Sequence, residues 1–80
     1  MKQVELQVPK LGMDTTEAVI TVWMVAEGAQ VEIGSPLVEL ETEKVNFVVE
    51  SEVKGSLAKI LHQAGEVVAI GGILGILETE

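Results

Sequence analysis

The chain has no cysteine, no arginine and no tyrosine, and a single Trp, Phe and His among its 80 residues. Without cysteine there is no disulfide, no thiolate metal site and no thiol nucleophile, so redox chemistry would need a group attached or bound. Five lysines stand against 13 acidic residues, a formal net charge of −8, and a nucleic-acid role is not expected without clustered cations. Long apolar runs are missing too. The longest, Val67 to Leu77, is broken by Gly71, Gly72 and Gly75 and falls short of the roughly 20 residues that span a bilayer. The N-terminal MKQVELQVP is polar and acidic where a signal peptide would be apolar. A soluble, intracellular chain with no membrane partner is expected. What is abundant is aliphatic: 48% of residues are hydrophobic, with many β-branched ones, which favours sheet. Residues 1–80 are enough for one small domain and leave no room for a second.

One unit is used twice. Shifting the sequence by 37 positions aligns Ile20–Glu43 with Leu57–Glu80 without a gap, and nine of the 24 pairs are identical. Among them are Gly28/Gly65, Gly34/Gly71, Leu37/Leu74 and Leu40/Leu77, and both copies end in Glu-Thr-Glu. Glycines at shared offsets imply shared turns. Apolar and β-branched runs between turn signals predict eight strands, near Val4–Val8, Val19–Val25, Gln30–Ile33, Leu37–Glu41, Val45–Glu50, Ser56–Leu61, Val67–Ile70 and Ile73–Glu78. Eight short strands at this spacing predict an all-β sandwich or flattened barrel with an approximate internal two-fold axis. Pro9, Gly12, Asp14, Thr15 and Thr16 mark the longest irregular stretch, a loop between the first two strands.

The junction of the copies, Leu40 to Phe47 (LETEKVNF), has strand-like residues on both sides of Glu43-Lys44. The repeat requires the chain to fold back there. Tight hairpins usually recruit Asn-Gly or Asp-Gly, whose positive φ suits strand twist. Neither residue at this tip is Gly or Asn, so a type I turn with both central residues at negative φ is predicted. Such a tip presents one amine stiffly, that of Lys44. On position alone Lys44 is equally an ordinary solvated turn lysine.

ETEKV at Glu41–Val45, preceded by VPKLGM and EGAQVEIGSPLVE and followed by GSLAKI, AGEVVAIG and ILGIL, resembles the lipoyl domains of acyltransferase components of 2-oxo acid dehydrogenase complexes, of the pyruvate or acetoin type. The resemblance covers nearly the whole chain. It implies a flattened barrel of two four-stranded antiparallel sheets, with lipoate joined as an amide to Lys44, flanked by Thr42, Glu43 and Val45 as recognition residues for a lipoate ligase or lipoyl transferase. It implies three further partners: a thiamine-diphosphate-dependent decarboxylase, an acyltransferase catalytic core and a dihydrolipoamide dehydrogenase. It also implies a non-catalytic carrier, part of an acyltransferase component, in a bacterial cytoplasm. The loop Leu11, Gly12, Met13, Asp14 and Glu17, with Glu41, is implied in recognition by the decarboxylase; a plain connector is the alternative. The family most often has Asp before the lysine and Ala after it, where this chain has Glu43 and Val45. Biotinyl domains flank theirs with Met on both sides, so a biotin carrier is the weaker alternative, and an unmodified interaction module is another.

The remaining candidates carry less. Glu39, Glu41 and Glu43 alternate along one strand and are expected to form a solvated acidic face, not a metal site. His62 has no partner nucleophile in the sequence and is expected at a strand end on the surface. Trp23 and Phe47 are expected to pack.

Overall fold

Period-two alternation builds the strands. Ala18 and Ile20 are buried while Glu17 and Val19 are exposed; in Pro36–Glu41 Val38 and Leu40 are buried, with Leu37 also buried beside Val38 where the register shifts between Pro36 and Val38. The computed structural model describes residues 1–10 and 15–80 and contains β1 (Lys2–Gln7), β2 (Glu17–Trp23), β3 (Gln30–Val31), β4 (Pro36–Glu41), β5 (Asn46–Glu50), β6 (Gly55–Ile60), β7 (Val67–Ala69) and β8 (Ile73–Thr79). All eight expected strands are present, with bounds shifted by at most two residues. They form two antiparallel four-stranded sheets, ordered β1-β8-β6-β3 and β5-β4-β2-β7. Among the described residues no helix is long and apolar enough to cross a membrane.

The repeat is carried into the hydrogen bonding. A shift of 37 maps β2 onto β6, β3 onto β7 and β4 onto β8, while β5 takes the place of β1, so one sheet order becomes the other. Gly28 N–H donates to Leu57 O at 2.6 Å, and its counterpart Gly65 N–H donates to Ile20 O at 2.7 Å. Gly34 N–H donates to Ser51 O at 2.8 Å, and Gly71 N–H to Val8 O at 3.0 Å. These four glycines have φ of 88°, 94°, 89° and 83°, a region that side chains with a Cβ avoid. Even the bulges recur: the register slips between Ile20 and Val22 against β4, and between the equivalent Leu57 and Lys59 against β8.

Each copy is completed by the other. β3 of the first copy pairs with β6 of the second, and β7 of the second with β2 of the first, so neither half closes its sheet alone. Between the sheets Ile20, Leu37, Leu40, Leu57 and Leu74 are fully buried, each contributing about 1.5–3 kcal/mol by leaving water. The identical leucine pairs of the repeat are therefore core positions. Ile33, identical to Ile70 in the repeat, is not: β3 ends at Val31 and Ile33 is 73% exposed.

Trp23 packs against the core as expected, and its indole N–H donates to His62 O at 2.8 Å. Phe47 corrects the expectation of a packing residue. It pairs with Leu40 at the hairpin end of edge strand β5 and stays 37% exposed.

Candidate functional site

β4 and β5 meet in a hairpin whose last rung is Glu41 opposite Asn46, which leaves residues 42–45 as the turn. Thr42 N–H donates to Val45 O at 2.9 Å and closes it. Glu43 and Lys44 are the two central residues, both exposed, and no non-glycine residue among those described has positive φ. The expected negative-φ turn is thus present. Without the primed geometry that glycine supplies, the turn draws on a side chain. Thr42 Oγ1 accepts from Val45 N–H at 3.1 Å and from Lys44 N–H at 3.3 Å, and it donates to Val45 O at 3.1 Å. One hydroxyl therefore ties both amides that follow Glu43.

Val45, beside the lysine, is 47% exposed, so Glu43, Lys44 and Val45 form a continuous surface. A shallow cleft of about 570 Å³ lies against the hairpin, between residues 15–19 and 41–44. Glu17 opens β2 and is exposed, and Val19 pairs with Glu41, so the start of β2 lies alongside the base of the hairpin. Leu11, Gly12, Met13 and Asp14 fall outside the described residues.

The acidic row needs one correction. Glu39 and Glu41 share a face of β4, but Glu43 lies past its end, in the turn. Glu39 is half-buried and its Oε2 accepts from Thr21 Oγ1 at 2.7 Å, which couples it to β2. No group of three or more His, Asp or Glu among the described residues is placed to hold a metal. His62 lies just past β6, in the other sheet. Its Nδ1 is 3.0 Å from Glu66 Oε1, and Glu66 Oε2 accepts from Gln63 N–H at 2.6 Å. That amide first, and His62 second, hold the Glu66 carboxyl below its ordinary value of 4.5. The pair stabilises a turn and faces no nucleophile, in keeping with a surface histidine.

Sequence reasoning named Thr42 as a flanking residue but missed its hydroxyl's part in the turn. The available signal was a threonine two positions before the lysine, since Ser and Thr hydroxyls bond backbone groups two or three residues ahead.

Residues 4–77 match the sequence family described as biotin-requiring enzymes. A dihydrolipoyllysine-residue succinyltransferase component of a 2-oxoglutarate dehydrogenase complex, from Bartonella vinsonii, is 43% identical over 74 residues, which is 92% of this chain and 18% of that protein. A dihydrolipoyllysine-residue acetyltransferase component of an acetoin cleaving system, from Cupriavidus necator, is 32% identical over 92% of this chain and 20% of its own length. The chain thus spans about a fifth of the length of these relatives. Among solved structures, the lipoyl domain of the 2-oxoglutarate dehydrogenase complex from Azotobacter vinelandii superposes with a TM-score of 0.79 at 26% identity, over 95% of this chain and 96% of that one. A urea carboxylase from Kluyveromyces lactis superposes with a TM-score of 0.81 at 23% identity, over 98% of this chain and 6% of its own, a likeness of fold alone.

Proposed function

Since the chain belongs to the family of biotin- and lipoyl-attachment domains, we propose that it is a lipoyl carrier whose Lys44 bears lipoate as an amide and moves acyl groups and electrons within a 2-oxo acid dehydrogenase complex. The observation that carries this reading is the exposed Lys44 at the tip of a hairpin that joins the two copies and is tied by Thr42. The site suits such a group: the backbone is held at the turn while Lys44 is exposed, and among the described residues no cluster is placed to hold a metal.

When bound, the lipoyl group supplies the dithiolane that accepts acyl groups and electrons. The chain's own part is to hold the arm, with Glu43 and Val45 as the surface that a lipoate ligase or lipoyl transferase reads. Tethering replaces diffusion by an effective concentration set by the length of the arm, so one carrier serves several active sites while performing no bond-making step itself. Relatives named as dehydrogenase-complex components support the partners: a thiamine-diphosphate-dependent decarboxylase, an acyltransferase core and a dihydrolipoamide dehydrogenase, in the cytoplasm. Glu17 and Glu41 beside the hairpin would face the decarboxylase.

The biotin alternative is the less supported. Neither neighbour of Lys44 is Met, and the carboxylase likeness speaks to fold. Incubation of the folded chain with lipoate, ATP and a lipoate ligase, followed by peptide mapping over residues 40–47, is expected to place one lipoyl adduct on Lys44 and none on Lys44→Arg. A folded chain that gains no mass there, or gains it only with biotin ligase and biotin, would overturn the reading.

A further inference from the structure

The two-fold repeat contains its own control for the hairpin. Glu41-Thr42-Glu43 and Glu78-Thr79-Glu80 are the same three residues at equivalent positions, yet the two hydroxyls do different work. Thr79 Oγ1 donates across to Lys54 O at 2.7 Å, tying β8 to the segment that leads into β6. Thr42 Oγ1 makes no such bond to the equivalent Glu17, and turns to its own hairpin instead. There it accepts from the amides of Lys44 and Val45 and donates to Val45 O. A threonine serving only sheet propensity would need neither set of contacts. In an ordinary two-residue hairpin the amide after the turn bonds the backbone carbonyl of the residue before it; here the Val45 amide has the Thr42 hydroxyl within reach at 3.1 Å.

The consequence for the lysine is direct. The Lys44 backbone is fixed on its own nitrogen and on that of the next residue, so the Cα–Cβ direction of the side chain is set before any enzyme arrives. A modifying enzyme that must seat one ammonium in an active site gains from receiving it in one orientation, because ordering a loose loop would otherwise be charged against binding.

We propose that Thr42 is a positioning residue for covalent modification of Lys44, acting through its hydroxyl on the backbone of the turn and touching neither the lipoyl donor nor the reacting amine. This rests on the lipoyl-carrier reading above. Thr42→Val keeps the shape and the β-branch and removes the hydroxyl; Thr42→Ser keeps the hydroxyl. The test is steady-state lipoylation of the 80-residue chain by a lipoate ligase, with kcat and KM for the domain measured for wild type and both variants, alongside amide hydrogen exchange at residues 44 and 45 and the urea midpoint.

Thr42→Val is expected to lower kcat/KM by roughly three- to tenfold, the range that one lost hydrogen bond of ordinary strength provides. The loss should fall mainly in KM, with faster exchange at Lys44 and Val45. Thr42→Ser is expected to restore both readouts. Modification of Thr42→Val at the wild-type rate despite faster exchange would overturn the inference, as would Thr42→Ser being as impaired as Thr42→Val. A wild-type chain that is never modified at Lys44 sinks the carrier reading itself, a result distinct from either.

Discussion

Glu66 accepts the Gln63 amide and faces His62, and both keep its carboxyl ionised at lower pH than an ordinary glutamate. A group whose pKa is depressed on folding stabilises the fold above its unfolded pKa, and that contribution fades as pH falls through the folded value. Glu66→Gln is therefore expected to be less stable than wild type at pH 7, with the gap narrowing once pH drops below 4.5; urea midpoints at pH 7 and pH 3 measure it. A gap unchanged between the two would contradict the assignment. Glycine gives a second contrast at this scale. A Cβ on Gly28 meets nothing within 4 Å, so Gly28→Ala bears only the cost of its φ of 88°, about 1–2 kcal/mol. A Cβ on Gly55 would collide with the Glu78 carbonyl in the β6–β8 ladder, so Gly55→Ala should lower the thermal midpoint by more. The turn glycines were legible from the repeat alone. Gly55 was not, because its constraint comes from a strand that is distant in sequence.

At the scale of the element, β4 and β8 occupy equivalent central places in the two sheets. Leu40 and Leu77 are both buried, at 0% and 1% exposure. Truncating either to alanine leaves a cavity of similar shape in equivalent surroundings, so Leu40→Ala and Leu77→Ala are expected to cost about the same, each within about 2–5 kcal/mol. Chemical denaturation of the two variants compares them directly, and a difference as large as either cost would mean that the core departs from the symmetry of its backbone. The strands themselves were readable because apolar alternation and turn glycines coincide. Their ends were not: β3 was expected to run to Ile33 but stops at Val31, since it pairs only with Ser56 and Gly55 of the other copy. Phe47 was misjudged for a related reason. A large aromatic reads as core, but β5 is an edge strand with a pairing partner on one side alone among the described strands, and Phe47 is left 37% exposed. At the hairpin, sequence singled out Lys44 and the negative-φ turn. The Thr42 contacts escaped it because a hydroxyl's choice between a neighbouring strand and its own turn is settled only in three dimensions.

The symmetry of the whole molecule reaches past the repeat seen in sequence. Val8 and Ser51 play equivalent parts, each accepting from a positive-φ glycine and each donating back across the same turn, Val8 to Gly72 O and Ser51 to Ser35 O, both at 2.9 Å. β1 therefore stands to β8 as β5 stands to β4: Gln3 pairs with Glu78 where Asn46 pairs with Glu41, and Val4 with Leu77 where Phe47 pairs with Leu40. Carried one step outward, Lys2 pairs with Thr79 where Val45 faces Thr42, and by that register Glu80 and Met1 correspond to Glu43 and Lys44. Across from the lysine hairpin the molecule thus carries the equivalent last rung, Lys2 opposite Thr79, bordered by a second cleft of about 480 Å³. By that register, joining Glu80 to Met1 by a peptide bond, with no linker, should close a turn of the same length as residues 42–45. The ring should then be more stable than the open chain by about 2–4 kcal/mol, because closure removes freedom from the unfolded state alone. Urea unfolding of the cyclised and open chains at equal pH and salt measures the difference. A ring less stable than the open chain would show that the ends do not meet in hairpin register, and that the two-fold relation stops at the last paired rung.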